Sequence, residues 1–298
     1  MPVLIPTFTT AVNTWQCDEN DHLNVQFYTE FVHEASAHLL HRLGLGPRAQ
    51  RAAGLIVRAS EDHIRYLREF RVVDSVEVRS APVQLGKDDV IFYHEMRNPA
   101  DSSLAATACR RFASGKPWPD EFRARVEAAR IELPGSARPR SVGIPQLPDI
   151  RFDDAESIGL ITVGRTIIKP AECDEQGILL PRHQFARYSD AAPMLWNHFG
   201  FGRTAMQERG EGTVVVETLH TYRAWLGAGN LLVVMSGLAD FSDRILKLAH
   251  YAFDAESGTL AASAEGIAMK FDQTARRIMT FSAEDRARLA RLKLRLFA

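Results

Sequence analysis

The sequence is short of cysteine, of charge of one sign and of long apolar runs. Its three cysteines, Cys17, Cys109 and Cys173, form no Cys-x-x-Cys pair. That excludes a disulfide framework and a cysteine zinc site, and it suits a reducing compartment. The charges nearly cancel: 36 Lys and Arg stand against 37 Asp and Glu, for a net charge of −1. Nucleic acid is thereby excluded as a main partner, because binding a phosphate backbone needs a positive excess or a basic stripe. A local basic patch for a phosphorylated small molecule is still compatible. The longest apolar runs, such as "LLVVM" at 231–235, have strand length, far short of the ~20 residues of a membrane helix. The start "MPVLIPTFTT" has neither the basic n-region nor the apolar core of a signal peptide. A cytoplasmic protein with no membrane engagement is expected. With 46% hydrophobic and 24% charged residues in 298, the composition is that of a globular chain of two domains or one large one.

What the sequence does have is a repeat. The tripeptide Cys17-Asp18-Glu19 returns at Cys173-Asp174-Glu175, a shift of 174 − 18 = 156. The same shift, carried without gaps, pairs Ala35 with Ala191, Leu39 with Leu195, Gly44 with Gly200 and Gly46 with Gly202. It also pairs Glu61 with Glu217, Tyr66 with Tyr222, His94 with His250, and "LAA" at 104–106 with "LAA" at 260–262. One register held from residue 17 to residue 106 is a duplication. Past residue 112 it slips: "RARV" at 123–126 matches "RARL" at 286–289 at a shift of 163, which predicts a longer final turn in the second copy. The stretch "LPGSARPRSVGIPQLPD" (133–149) reads as an extended linker. Three segments are expected: a first unit over 1–134, a linker over 135–158 and a second unit over 159–298.

Each copy reads as a short strand, a loop at the "CDE" motif, a long helix and then four strands. The helix follows from apolar residues at three- and four-residue steps: Tyr28, Phe31, Ala35, Leu39 and Leu43, then Phe185, Tyr188, Ala192, Leu195 and Phe199. Asn24 suits its N-cap, and Pro181 suits the first helical position of the second copy. The glycines of "GLG" (44–46) and "GFG" (200–202) close the helices. Strands are expected near 55–68, 74–86, 89–98 and 103–113, and over the corresponding runs of copy two. A charged amphipathic helix ends each copy. The result is an α+β unit in which an antiparallel sheet wraps one helix. This order resembles the hotdog fold. The resemblance implies that the two tandem units pair as an internal pseudo-dimer, with further homo-oligomerisation left open.

The stretch "WQCDENDHLNVQFY" (15–28) is similar to the N-terminal signature of the 4-hydroxybenzoyl-CoA thioesterase-like branch of that superfamily. Asp18, His22, Asn24 and Tyr28 fall on its Asp, His, Asn and aromatic positions, and "EDHIRYLRE" (61–69) resembles its second-strand segment. The glycine usual before the histidine is Asp21 here, which leaves the loop's shape open. The resemblance implies a tandem hotdog thioesterase that takes an acyl-CoA substrate and needs no metal or other cofactor. Residue chemistry agrees. Thioester hydrolysis needs a base or nucleophile and a donor for the developing oxyanion. Asp18 supplies the first, and the helix amides that begin at Asn24 and Val25 supply the second. A plain loop or capping role is the rival reading for Asp18.

His22 is either a chemical group or a loop hydrogen-bonder. Glu61 and His63 share one face of a strand and are pocket candidates, against a solvent-facing polar pair. Glu34, aligned with Asp190, reads better as a salt-bridge partner. Cys17 reads better as a small half-buried residue than as a nucleophile. Trp15, Tyr66 and Trp225 offer an aromatic box for a quaternary ammonium, in line with the carnitine- and betaine-linked hotdog thioesterases, against ordinary core packing.

The copies differ where chemistry is expected. Asp174 remains, but His22 becomes Ile178, Asn24 becomes Leu180, Val25 becomes Pro181 and His63 becomes Leu219. Copy one is therefore read as catalytic. Copy two is expected to supply the opposite pocket wall, with Glu217 and Tyr222 as candidates. A hotdog hydratase or dehydratase is the alternative enzyme. That class typically has Asp and His separated by four residues with "NP" between them, whereas three residues and no proline separate Asp18 from His22. A non-catalytic acyl-CoA-binding protein is the remaining alternative, and it would need both sites degenerate.

Overall fold

The first strand, β1 (Ile5–Ala11), bulges between Pro6 and Phe8, so that Thr7 is buried and the next residue, Phe8, packs on the core, 5.4 Å from the Phe31 ring. The computed structural model describes residues 3–18 and 21–296. Helix α1 (Val25–Arg42) follows, capped by Asn24, whose Oδ1 accepts the Gln26 amide at 3.1 Å. Its buried stripe, Phe27, Tyr28, Phe31, Val32, Ala35 and Leu39, recurs at three- and four-residue steps, so one face lies against the sheet. The short α2 (Pro47–Ala52) leads to β2 (Arg58–Tyr66), β3 (Ser75–Leu85), β4 (Asp89–Asn98), β5 (Ser103–Ala113) and α3 (Asp120–Ala129). The strands pair in the order β1-β3-β4-β5-β2, every neighbour antiparallel. Val12, Leu23, Phe31, Ile64, Phe70, Val76 and Met96 fill the space between sheet and helix.

The backbone divides into two compact units between Pro139 and Arg140. The second unit repeats the first: β6 (Ile161–Ile167), α4 (Pro181–His198), α5 (Arg203–Glu208), β7 (Glu211–Tyr222), β8 (Leu231–Phe241), β9 (Ile245–Asp254), β10 (Leu260–Asp272), the two-residue β11 (Arg277–Ile278) and α6 (Ala283–Leu292). Its strands pair β6-β8-β9-β10-β7, again antiparallel, with β11 against β10. The β10–β11 hairpin occupies the stretch that lengthens the second copy. Among the described residues no helix is long and apolar enough to cross a membrane.

The duplication reaches the irregularities of the backbone. Register shifts fall between Pro6 and Phe8 and between Thr162 and Gly164, and between Pro82 and Gln84 and between Leu238 and Asp240. Others lie between Ala59 and Glu61 on β2 and between Val215 and Glu217 on β7. Each pair is related by the same shift of 156. A bulge re-aims every side chain beyond it, so both sheets present equivalent faces at equivalent residues. The helix ends match too. Gly44 (φ +85°) and Gly200 (φ +77°) take the left-handed conformation, and guanidinium atoms of Arg125 and Arg288 lie 2.7 and 2.5 Å from where a Cβ would stand. Those two arginines are related by the second shift, 163.

The interval expected as an extended linker is not free chain in its second part. Arg140 and Ser141 donate their amides to the two oxygens of Glu217 at 2.8 and 2.9 Å, and Gly143 donates to Glu265 at 2.9 Å. Lys247, 2.8 Å from Glu265, donates to the carbonyls of Ile144 and Pro145. The Tyr251 hydroxyl donates to Pro148, and Arg223 pairs with Asp149 at 2.5 Å. Residues 140–149 are thus strapped to the sheet of the second unit by side chains of β7, β9 and β10 and of the Arg223 turn.

The core of the first unit is not wholly apolar. Arg110 on β5 grips Asp62 on β2 through two hydrogen bonds of 2.6 Å, with both side chains at most 1% exposed. The His94 imidazole on β4 joins helix to sheet: Nε2 is 3.1 Å from Ser36 Oγ on α1, and Nδ1 is 2.6 Å from Ser80 Oγ on β3. Ser80 reaches Thr7 on β1 at 2.7 Å. The second unit keeps the His250–Ser236 contact at 2.7 Å but has Thr218 and Gly266 in place of Asp62 and Arg110. Removing one member of a buried ion pair strands the other charge. Asp62→Ala should therefore cost about 3–5 kcal/mol in urea unfolding, and the apolar double variant Asp62→Leu/Arg110→Met should cost clearly less. A double variant as unstable as the single one would show that packing, not charge, dominates here.

Burial, aided by the Arg110 charge, pushes His94 down to about 3, and burial with nearby His220 does the same to His250. An unfolded histidine titrates near 6.5, so below that pH the unfolded chain binds protons that the folded chain refuses. Stability should then fall with falling pH by about 1.4 kcal/mol per unit for each histidine. The unfolding midpoint, followed from pH 7 to pH 5, should drop less steeply in His94→Gln than in the parent. Equal slopes would remove His94 from the acid response.

Candidate active site

Between Cys17 and Leu23 the chain doubles back on itself. These two residues bridge, the Asp18 amide donates to the His22 carbonyl at 2.8 Å, and the His22 amide donates to Asp18 Oδ1 at 3.2 Å. Glu19 and Asn20 lie outside the described residues. Asp21 takes φ +60°, close to the +78° of Gly177 at the aligned position. The missing glycine therefore does not change the turn: aspartate, with asparagine, is among the side chains that tolerate this conformation. The second copy builds the same loop. Cys173 bridges Leu179, and Asp174 Oδ1 accepts the Ile178 amide at 2.9 Å and that of Gln176 at 2.8 Å. In both copies the aspartate closes the loop through the amide four residues on.

The loop delivers the chain to the first turn of α1. There the Gln26 amide is taken by Asn24 Oδ1 and the Phe27 amide by the Asn24 carbonyl at 3.0 Å. The Val25 amide has no hydrogen-bond partner among the described residues. It is an N–H at the positive end of an 18-residue helix, directly after the Asp18 loop. In the second unit Pro181 stands at that position and has no N–H, and Leu180 offers no side-chain cap.

His22 has company that sequence reasoning missed. Its Nε2 lies 3.2 Å from Glu69 Oε2 and 3.0 Å from an Arg71 guanidinium nitrogen, and Arg71 itself is 3.9 Å from Glu69. His22 and Arg71 also form a backbone bridge. The aligned residues of copy two are Ile178, Trp225 and Gly227, with Ile178 bridging Gly227 in the same way. The signal was available: Glu69 ends the "EDHIRYLRE" segment, and its change to Trp225 parallels that of His22 to Ile178.

The other candidates stand elsewhere. Tyr28 is 3% exposed in the core, edge-on to Tyr66 at 5.1 Å, and burial pushes its phenol up. Ile64 and Tyr66 face α1, so strand alternation turns Glu61 and His63 to the other face of β2, beside Arg111 and Cys109 of β5. Burial raises the Glu61 carboxyl in spite of Arg111, and burial with Glu61 pushes the Cys109 thiol up to about 12. Glu217 receives the strap amides described above, and Tyr222 stacks on Trp225 with ring centroids 5.9 Å apart. Trp15 is 75% exposed. Glu34 and Asp190 are both exposed. Burial and the Asp18 and Asp21 charges raise the Cys17 thiol, which disfavours a thiolate nucleophile. No group of three or more His, Cys, Asp or Glu among the described residues is arranged to hold a metal ion.

Comparison with known proteins agrees with the fold. No curated protein matches the sequence. Among solved structures, a putative oleoyl thioesterase of Lactobacillus plantarum superposes with a TM-score of 0.67 at 13% identity, covering 89% of this chain and 95% of its own. An acyl-ACP thioesterase of Bacteroides thetaiotaomicron gives 0.68 at 11% identity, with 88% and 96% covered. The 12:0-ACP thioesterase of Umbellularia californica gives 0.67 at 13% identity, with 88% and 93% covered. Likeness at such identities establishes the shared fold, two tandem hotdog units. The profile of the thioesterase-like superfamily matches residues 12–126 and again 168–289, one segment in each unit. The chain belongs to the thioesterase-like superfamily.

Proposed function

We propose that the chain hydrolyses an acyl-CoA thioester to the free acid and CoA, and that the reaction runs in the first unit. The observation that carries this reading is the Val25 amide, an unengaged donor beside the Asp18 loop, at a position where the second unit has proline. Asp18 takes a proton from water as the water oxygen bonds to the thioester carbon, or its own oxygen makes that bond. In either case the carbonyl oxygen becomes negative and accepts from the Val25 N–H. Collapse of the tetrahedral species breaks the carbon–sulfur bond. Where water attacked, the thiolate takes the proton that Asp18 received from it. Where Asp18 itself attacked, the thiolate leaves behind an Asp18 mixed anhydride. A water then hydrolyses this to the free acid and the Asp18 carboxylate, and a proton of that water passes to the thiolate. His22 orients the participants. Glu61 and His63 are the candidate substrate contacts of the first unit carried over from the resemblance.

Three substitutions test the assignment. Asn keeps an oxygen for the His22 amide, so Asp18→Asn should preserve the loop while lowering kcat about a hundredfold or more. Proline is tolerated at the first helical position, so Val25→Pro should leave α1 intact and lower kcat by about 10²- to 10³-fold. Asp174→Asn should change turnover far less. Thiol release from a panel of acyl-CoAs and acyl-carrier proteins, with enoyl-CoA hydration assayed alongside, reads all three. Near-normal release by folded Asp18→Asn would move the chemistry elsewhere. Hydration without thiol release would replace the hydrolase reading.

A further inference from the structure

The turn that leads from β1 into the Asp18 loop needs a side-chain acceptor for the amide three residues back. In the first unit Gln16 supplies it. Its Oε1 takes the Asn13 amide at 2.9 Å, and its own carbonyl takes the Asn24 amide at 2.9 Å. In the second unit Glu172 stands at the aligned position and accepts the same two amides, from Lys169 at 2.8 Å and from Leu180 at 3.0 Å. The turn therefore accepts either side chain. The two differ in charge. Arg187 meets the Glu172 carboxylate at 2.7 Å, with both side chains at most 13% exposed. The residue aligned with Arg187 is Phe31, buried in the core of the first unit, and it offers no cation to a carboxylate at position 16.

Gln16 stands between the two halves of the candidate site. Asp18 follows two residues on, and the Asn24 amide that its carbonyl holds is the one before the open Val25 amide. The surroundings are already acidic. Burial raises the Cys17 thiol, and the Asp18 and Asp21 charges add to the rise. At the Tyr28 phenol on α1, the charges of Glu69, Asp18 and Asp74 add to burial in the same way. Facing these carboxylates are His22 from the loop and Arg71 from the turn after β2. The second copy shows how far a charge at this position reaches. Burial raises the Cys173 thiol, and the Asp174 and Glu172 charges on either side of it both add to the rise.

We infer that Gln16 is a positioning residue of the first unit: it shapes the turn as Glu172 does, while sparing Asp18 and the Val25 amide a further negative charge beside them. This rests on the hydrolase reading, in which Asp18 acts as a carboxylate and the substrate oxygen becomes negative at the Val25 N–H. A neighbouring like charge makes a carboxyl hold its proton to higher pH. It also opposes the charge that develops on the substrate oxygen. Gln16 touches neither water nor substrate and exchanges no proton. It acts through the groups on either side of it.

Aspartate carboxyl carbon-13 shifts of the full-length protein, read without substrate and assigned with Asp18→Asn, test the placement of charge. Gln16→Glu should fold, since Glu172 closes the same turn, and the two Asn13 N–H groups that Gln16 now accepts should hold the new carboxyl ionised. The Asp18 midpoint should then rise by roughly half to one pH unit. Gln16→Met, which has neither charge nor acceptor, should leave that midpoint in place. In the same variants the acid limb of kcat should follow the Asp18 midpoint, and above that limb kcat should fall roughly three- to tenfold in Gln16→Glu. An unmoved midpoint in folded Gln16→Glu, an equal shift in Gln16→Met, or a kcat profile unchanged in Gln16→Glu would overturn the inference. So would a Gln16→Glu chain that does not fold, because neutrality at this position would then serve shape alone. Because the shifts need no substrate, a parent chain inactive on every acyl thioester would tell against the hydrolase reading alone.

Discussion

The whole arrangement hangs on a carboxylate that accepts the amide four residues further on. Asp18 and Asp174 each hold a tight loop closed in this way, and each loop hands the chain from an edge strand to the long helix that the sheet covers. A loop this short leaves the backbone little choice: one residue must go left-handed, and Asp21 and Gly177 do. The closed loop fixes where the helix starts and where its first amides lie. The same aspartate therefore has a structural duty in both units before any chemical duty is considered. A chemical duty at Asp18 draws on a group that the fold already holds in place.

With the loop common to both units, the differences between them become informative. The first unit has an open amide at Val25, an Asn24 cap, and His22 within reach of Glu69 and Arg71. The second has Pro181, Leu180, Ile178, Trp225 and Gly227 at those positions. Every one of these changes removes a donor, an acceptor or a charge, and none disturbs the loop's bridges. The second unit carries much of its polarity elsewhere. Glu217, Glu265, Lys247, Arg223 and Tyr251 bind the backbone or side chains of residues 140–149, so its sheet anchors the segment that follows the division of the chain.

The polar core of the first unit is a related divergence. Ser36, His94, Ser80 and Thr7 link α1 to β4, β3 and β1, and Asp62 and Arg110 link β2 to β5, where the second unit keeps only the serine–histidine pair of that set. A buried ion pair is poor at adding net stability, because desolvation offsets its attraction. Its geometry is nevertheless strict. In the unit with the candidate active site, the Ser36–His94 contact adds a directional link between helix and sheet to their apolar packing.

The sequence by itself determined the duplication, the order of strands and helix in each copy, the helix stops at Gly44 and Gly200, and the loop that carries Asp18, His22, Asn24 and Val25. All of these are local patterns, written in residues a few positions apart and repeated at a constant shift. The structure decided the rest. Glu69 and Arg71 meet His22 across more than forty residues of chain because the end of β2 returns to the loop. The β2–β5 register brings Arg110 to Asp62, and strand alternation turns Glu61 and His63 away from α1. Residues 140–149 read as free linker until the side chains of β7, β9 and β10 capture them. Periodicity reports which face of an element is apolar. Which polar side chains converge depends on register and on bulges that re-aim side chains between distant strands, and that is settled only when the strands pair.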